Sequence, residues 1–189
     1  MPFLDRRRSD ATALVAFHTA LATDRAGRTI EDVWALGPDA LEQAHDYIQW
    51  LFPLDEPSRA QPASPVLTPE AVEAIRRSPL ATGRLLRSAQ IMAAFYGFEV
   101  TRAGSEWRVT RAPSFEVRRR VWLTPGNHNY PRQTRILRSL ALLGQTELAR
   151  SWLACLLDVY DEYGSVIGET TVAYWKAAID LTSRQSPTK

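Results

Sequence analysis

The chain has 189 residues, 45% hydrophobic and 23% charged, with six tryptophans and a formal net charge of +2, the balance of a normal globular protein. No apolar run approaches the roughly 20 residues that span a bilayer, and the N-terminal MPFLDRRRSD lacks the apolar stretch of a secretory signal, so a cytoplasmic location is expected. The single cysteine, Cys155, excludes an internal disulfide and a cysteine-based metal site.

One domain is expected over 1–185, with a frayed tail at 186–189. Ser9 and Asp10 are N-cap candidates for a first helix with Ala13, Leu14, Phe17, Ala20 and Leu21 on one stripe. TDRAGRT (23–29) reads as a polar connector, and Thr29 as the cap of a short helix, IEDVWAL, that Gly37 ends. Pro38 opens the next helix, and DALEQAHDYIQWLF (39–52) puts Leu41, Ala44, Ile48 and Leu51 on one face. Five prolines in the seventeen residues 53–69 impose an extended loop, expected to wrap the helices. Thr68 is expected to cap PEAVEAIRRS (69–78) in capping-box manner. A longer helix follows Pro79, with Leu85, Leu86, Ala89, Met92, Ala93 and Tyr96 at helical spacing and Gly97 as its stop.

FEVTRAGSEWRVTRAP (98–113) alternates apolar and polar residues about a Gly104 turn, the pattern of a hairpin. SFEVRRRVWL (114–123) is ambiguous and TPGNHNYP (124–131) is a turn. Three helices follow, over 133–144, 145–164 and 166–181, with Gly144 and Gly164 as stops. The fold class is mainly α: a single-domain helical bundle with one minor β-hairpin and a long proline-rich loop.

Two clusters stand out. His45 and Gln49 lie four apart on the helix read over 39–52, with Tyr47 and Trp50 toward another side. They form either a pocket wall or a core segment in which Trp50 is packed and His45 bonds to a loop. Asn127, His128 and Asn129 precede Pro131 at a helix start, with Arg132 and Arg135 one and two turns on. These residues suit an anion, because amides, a helix start and guanidinium forks converge there. They equally suit a solvated face, or arginines paired with Asp55, Glu56, Asp161 and Glu162. A catalytic alternative takes His45 and His128 as acid and base with Arg135 stabilising charge, without a supporting motif. A nucleic-acid alternative uses the arginine-rich region 118–138 with Trp122 and Tyr130, against the near-neutral net charge. The arginine-rich composition itself, 21 arginines against two lysines, suits a GC-rich genome. Three histidines with one cysteine argue against a conventional zinc site. No cofactor is expected.

The strings HDYIQWLFPLDEPS (45–58) with Leu67-Thr68, SAQIMAAFYGFEV (88–100) and NHNYPRQTRILRSLALLG (127–144) resemble the conserved N-terminal region of the opioid growth factor receptor family. FHTALATDRAGRTIEDV (17–33) matches more loosely, so the resemblance covers nearly the whole chain. Ending by residue 189, without the long repeat-bearing tail of the animal members, the chain looks like a stand-alone bacterial version of the shared domain. The resemblance implies a mostly helical domain and, in animals, binding of an enkephalin peptide and restraint of proliferation. It implies no catalytic residue. The surface it matches comprises His45, Tyr47, Gln49, Trp50, Phe52 and Pro53, with Asn127, His128, Asn129, Arg132, Thr134 and Arg135.

The expected function is a non-enzymatic ligand-binding or protein-interaction domain. Its partner is a peptide, a protein or a small anionic ligand, with nucleic acid disfavoured and no membrane. The helix 39–52 and the NHNY helix start are expected side by side, forming the principal cleft.

Overall fold

Prolines and hydroxyl caps cut the first half of the chain into short helices, and longer apolar stripes build the second. A computed structural model of the protein describes residues 3–183, so the expected frayed tail at 186–189 lies outside the described residues. Among the described residues there are ten helices and one hairpin, a mainly α architecture. They group into two compact units, Met1–Ser88 and Ala89–Lys189.

The first unit begins with α1 (Phe3–His18), which starts earlier than the Ser9 cap suggested and places Ser9 and Asp10 inside the helix. Its core residues are Leu14, Phe17 and His18. The helix ends in a left-handed residue, Ala20 at φ 58, and the Leu21 amide closes the end on the Ala16 carbonyl at 2.8 Å. Leu21, expected on the buried stripe, is instead 82% exposed, because the reversal at Ala20 turns it away from the helix face.

Thr29 caps α2 (Ile30–Trp34) with a full capping box, Thr29 Oγ1 accepting from the Asp32 amide and Asp32 accepting from the Thr29 amide. The helix stops at Trp34, and Gly37 serves as the N-cap of α3 (Pro38–Gln43). The helix expected over 39–52 is broken. Ala44 is extended at ψ 133, and α4 (Ile48–Leu51) starts anew after Tyr47. Two side-chain ties accompany the break, one local and one to a distant arginine. Tyr47 Oη donates to the Leu41 carbonyl at 3.1 Å, and Asp46 is drawn to Arg28 at 2.8 Å.

The proline loop over 52–68 is pinned at its base, the Leu67 amide donating to the Leu54 carbonyl at 2.8 Å. It is held along its length by the Val66 amide on Asp10 of α1 at 3.2 Å and by Arg25 on the Ala63 carbonyl at 3.0 Å. Thr68 caps α5 (Pro69–Arg77) through the Ala71 amide. Only half a capping box forms, because the third helical position is Ala71 and carries no carboxylate. Ser78 is extended ahead of Pro79, which separates α5 from α6 (Pro79–Tyr96).

In the second unit, β1 (Phe98–Ala103) and β2 (Glu106–Arg111) pair antiparallel from Phe98 opposite Arg111 to Ala103 opposite Glu106. The ambiguous segment is α7 (Phe115–Trp122). Then come α8 (Asn129–Leu142), α9 (Thr146–Ile167) and α10 (Glu169–Ser183), with α9 packed on β2 and all three helices on one another. Gly164 does not stop α9. The backbone departs from helix at Tyr163 (φ −119, ψ 26), and the stop falls at Gly168, φ 81.

The core of this unit is aromatic. Phe98 stacks on Phe115 at 5.9 Å and meets Trp122 at 5.8 Å and Trp152 at 6.3 Å edge to face. Each buried indole has an acceptor: Trp122 on the Tyr96 carbonyl, Trp152 on Gln133 Oε1 and Trp175 on the Tyr130 carbonyl. Cys155 lies in the same interior. Burial, with a smaller push from Asp158 and against Arg111, raises its thiol to about 12.

Two backbone positions give opposed expectations. Ala20→Gly relieves a left-handed alanine and should stabilise the protein by about 1 kcal/mol in chemical denaturation. Gly97 sits at φ 80, and a Cβ there would lie 2.7 Å from the Phe115 Cα. Gly97→Ala should therefore cost about 2 kcal/mol or more in the same measurement.

Candidate functional site

The nominated residues fall into two groups, 45–50 in the first unit and 127–135 in the second. In the first group the break in the helix removes the shared face of His45 and Gln49. His45 is exposed, in the linker between α3 and α4. Tyr47 is fully buried and bridges the break. Gln49 is buried, and its Oε1 has no hydrogen-bond partner among the described residues. Trp50 packs its ring on Phe17 at 5.4 Å and lends its carbonyl to His18 Nε2 at 3.0 Å.

His18 explains part of this arrangement. Its ring is wholly buried on α1, its Nε2 faces the Trp50 carbonyl, and its Nδ1 has no partner among the described residues. Protonating Nδ1 would create a buried donor with nothing to receive it. Burial is the main reason its pKa falls to about 4. The Trp50 carbonyl pulls it upward and the Arg84 guanidinium pushes it down.

The second group builds a tight polar knot. Asn127 Oδ1 accepts from the Asn129 backbone and side-chain amides at 2.9 and 3.0 Å, while its Nδ2 reaches the Val121 carbonyl at 3.1 Å. Asn129 is fully buried, and its Oδ1 accepts from Arg132 at 3.2 Å and from Tyr96 Oη at 3.4 Å. Arg132 is 6% exposed, so the arginines that follow Pro131 do not form a wholly solvated face. Arg135 is half-buried and His128 exposed, at the N-cap of α8 without a side-chain capping bond. Upstream, Arg118 donates to the Phe95 carbonyl, and Arg119 pairs with Glu116 at 2.7 Å and lies over the Tyr163 ring.

Open space gathers beside Trp50. A cleft of about 210 Å³ in the first unit is lined by Arg25, Arg28, Asp46, Trp50, Gln61 and Ser64. Its near wall is the turn at 24–28. Asp24, its side chain 1% exposed, accepts from the Ala26 and Arg28 amides at 2.9 and 3.0 Å and from Arg28 Nε at 2.7 Å. Arg28 continues to Asp46 at 2.8 Å. Burial works against the charged guanidinium, but the Asp24 and Asp46 carboxylates outweigh it and raise its pKa above the ordinary value. The far wall is the proline loop, tied across by Arg25. Of the nominated residues, Trp50 lines this cleft. In sequence the turn looks like a plain polar connector, although an Asp three residues before a Gly is a turn signature.

Residues 7–184 match the family model described as the opioid growth factor receptor (OGFr) conserved region. The chain belongs to the opioid growth factor receptor conserved-region family. It is 42% identical over 134 residues to the rat (Rattus norvegicus) opioid growth factor receptor, covering 67% of this chain and 23% of that protein. The human (Homo sapiens) receptor is 40% identical over 134 residues, 67% of this chain and 19% of the receptor. Opioid growth factor receptor-like protein 1 of Xenopus tropicalis is 36% identical over 121 residues, 62% of this chain and 23% of that protein. The chain thus spans about a quarter or less of the length of these relatives. No solved structure matches it. Among the described residues no helix is long and apolar enough to cross a membrane, and no three His, Cys, Asp or Glu stand together to hold a metal ion.

His18 makes stability depend on pH in one window. The unfolded chain takes up a proton near 6.5, while the folded ring resists it until about 4. Its contribution is intact above 6.5, is lost as pH falls between those values, and is level below; the full loss is about 3 kcal/mol. Urea midpoints measured from pH 7 to pH 4 should fall more steeply for the native chain than for His18→Gln. Parallel curves would refute the assignment.

Proposed function

We propose that this family member is a non-enzymatic ligand-binding domain of the protein-interaction kind, whose ligand is a peptide or a small anionic group. The observation that carries the reading is the cleft that Arg25, Arg28 and Trp50 line together. An indole receives an apolar side chain, and a guanidinium fork receives a carboxylate or phosphate. The curated relatives are named receptors for a growth factor, and that supports the peptide class. The reading treats 1–185 as one functional domain in the cytoplasm.

In this reading Trp50 touches the ligand, Tyr47 and Gln49 brace it from behind, and His45 belongs to the rim. Asn127, Asn129 and Arg132 hold the start of α8, so that His128 and Arg135 offer a second contact surface to a partner. The nucleic-acid alternative loses donors, since Arg118 and Arg119 commit theirs to Phe95 and Glu116.

A thermal-shift screen of peptides, nucleotides and phosphorylated metabolites tests the class. A true ligand at about a hundred times its dissociation constant should raise the melting temperature by about 5–10 °C for a chain of this size. Stabilisation by duplex DNA that collapses with added salt, with none from any peptide, would overturn the reading.

A further inference from the structure

We infer that the cleft beside Trp50 receives the C-terminal residue of a peptide, with its carboxylate on Arg25 and its side chain against the Trp50 indole. The inference deepens the peptide reading above and rests on it. Size comes first. At about 210 Å³ the cleft lies below the usual range of small-molecule pockets and holds roughly one amino-acid residue. An internal stretch of peptide would need room to enter and leave on both sides, whereas a terminus needs only one opening.

Charge selects which terminus. Arg28 is already held by two carboxylates, Asp24 and Asp46, and acts as scaffold. Asp46 is likewise engaged by Arg28, which disfavours it as the seat of an incoming ammonium. Arg25 differs. It is exposed, and among the described residues its one hydrogen bond is to a neutral acceptor, the Ala63 carbonyl at 3.0 Å. A ligand carboxylate would give this guanidinium the charge-assisted pair that Arg28 has twice. A dianionic phosphate is a poorer match, because the Asp46 carboxylate lines the same small space. Gln61 and Ser64 stand on the opposite wall, where they can meet the last peptide amide. The proline loop that carries them is pinned at Leu54 and Leu67, so little ordering cost falls on binding.

The test is calorimetric titration of the full chain with N-acetylated tripeptides carrying each amino acid in turn at the last position. Each is made as the free acid and as the amide, with inorganic phosphate and N-acetylphenylalanine alongside. Acids ending in an apolar residue should bind about tenfold tighter than their amides. Arg25→Gln should lower the acids to the level of the amides while the chain still melts in a single cooperative transition, and Arg25→Lys should recover part of the difference. Amides binding as well as acids would overturn this inference and leave the peptide reading standing. Absence of binding by every peptide in both forms would overturn both. Phosphate or N-acetylphenylalanine matching the best tripeptide would replace the peptide terminus with a small free anion.

Discussion

The first unit turns on one buried carboxylate. Asp24 is nearly sealed from solvent, a costly position for a charge unless several donors meet it. Two backbone amides and the Arg28 guanidinium do so, and the Asp24 amide closes the same turn on the Arg28 carbonyl at 2.8 Å. The turn therefore has one shape. Through Arg28 it reaches Asp46, in the linker where the expected helix gives way between α3 and α4. Through Arg25 it reaches the proline loop 38 residues away. The cleft is a by-product of these two attachments, and its walls hold their spacing because each tie ends on a backbone or a charge.

The second unit is organised by rings and by the need of each buried indole N–H for an acceptor. Trp152 claims Gln133, and Trp175 claims the Tyr130 carbonyl, so α8 is fixed from two directions by its polar groups as well as its apolar stripe. This accounts for the character of the NHNY segment. Asn127 and Asn129 resemble anion ligands by composition, yet their amides are used to start a helix inside an aromatic core. A polar residue rich in donors is as useful for joining a loop to a helix as for holding a solute.

How far the residues announced this depends on the range of the interaction. Thr29, Pro38, Thr68 and Pro79 act on their own backbone neighbours, and each marks a helix start as read. The hairpin is legible because period-two alternation and Gly104 agree. The break at Ala44 was not legible: Leu41, Ala44, Ile48 and Leu51 keep perfect helical spacing, while the Asp46 tie at the break goes to Arg28, eighteen residues away. Gly164 misled for a similar reason, since packing carries α9 past it to Gly168. Of the nominated site, Trp50 was reached through the density of rings around it. Arg25 and Arg28 were not, because what distinguishes them from the other arginines is a buried aspartate and a distant carbonyl. Neither leaves a pattern in the string.

Cys155 carries a practical corollary. The only sulfhydryl of the chain is held protonated and shut away from bulk water at neutral pH. Maleimides and similar electrophiles should pass the native molecule by. A thiol introduced on the proline loop would then take a fluorophore alone, and the native cysteine need not be removed first.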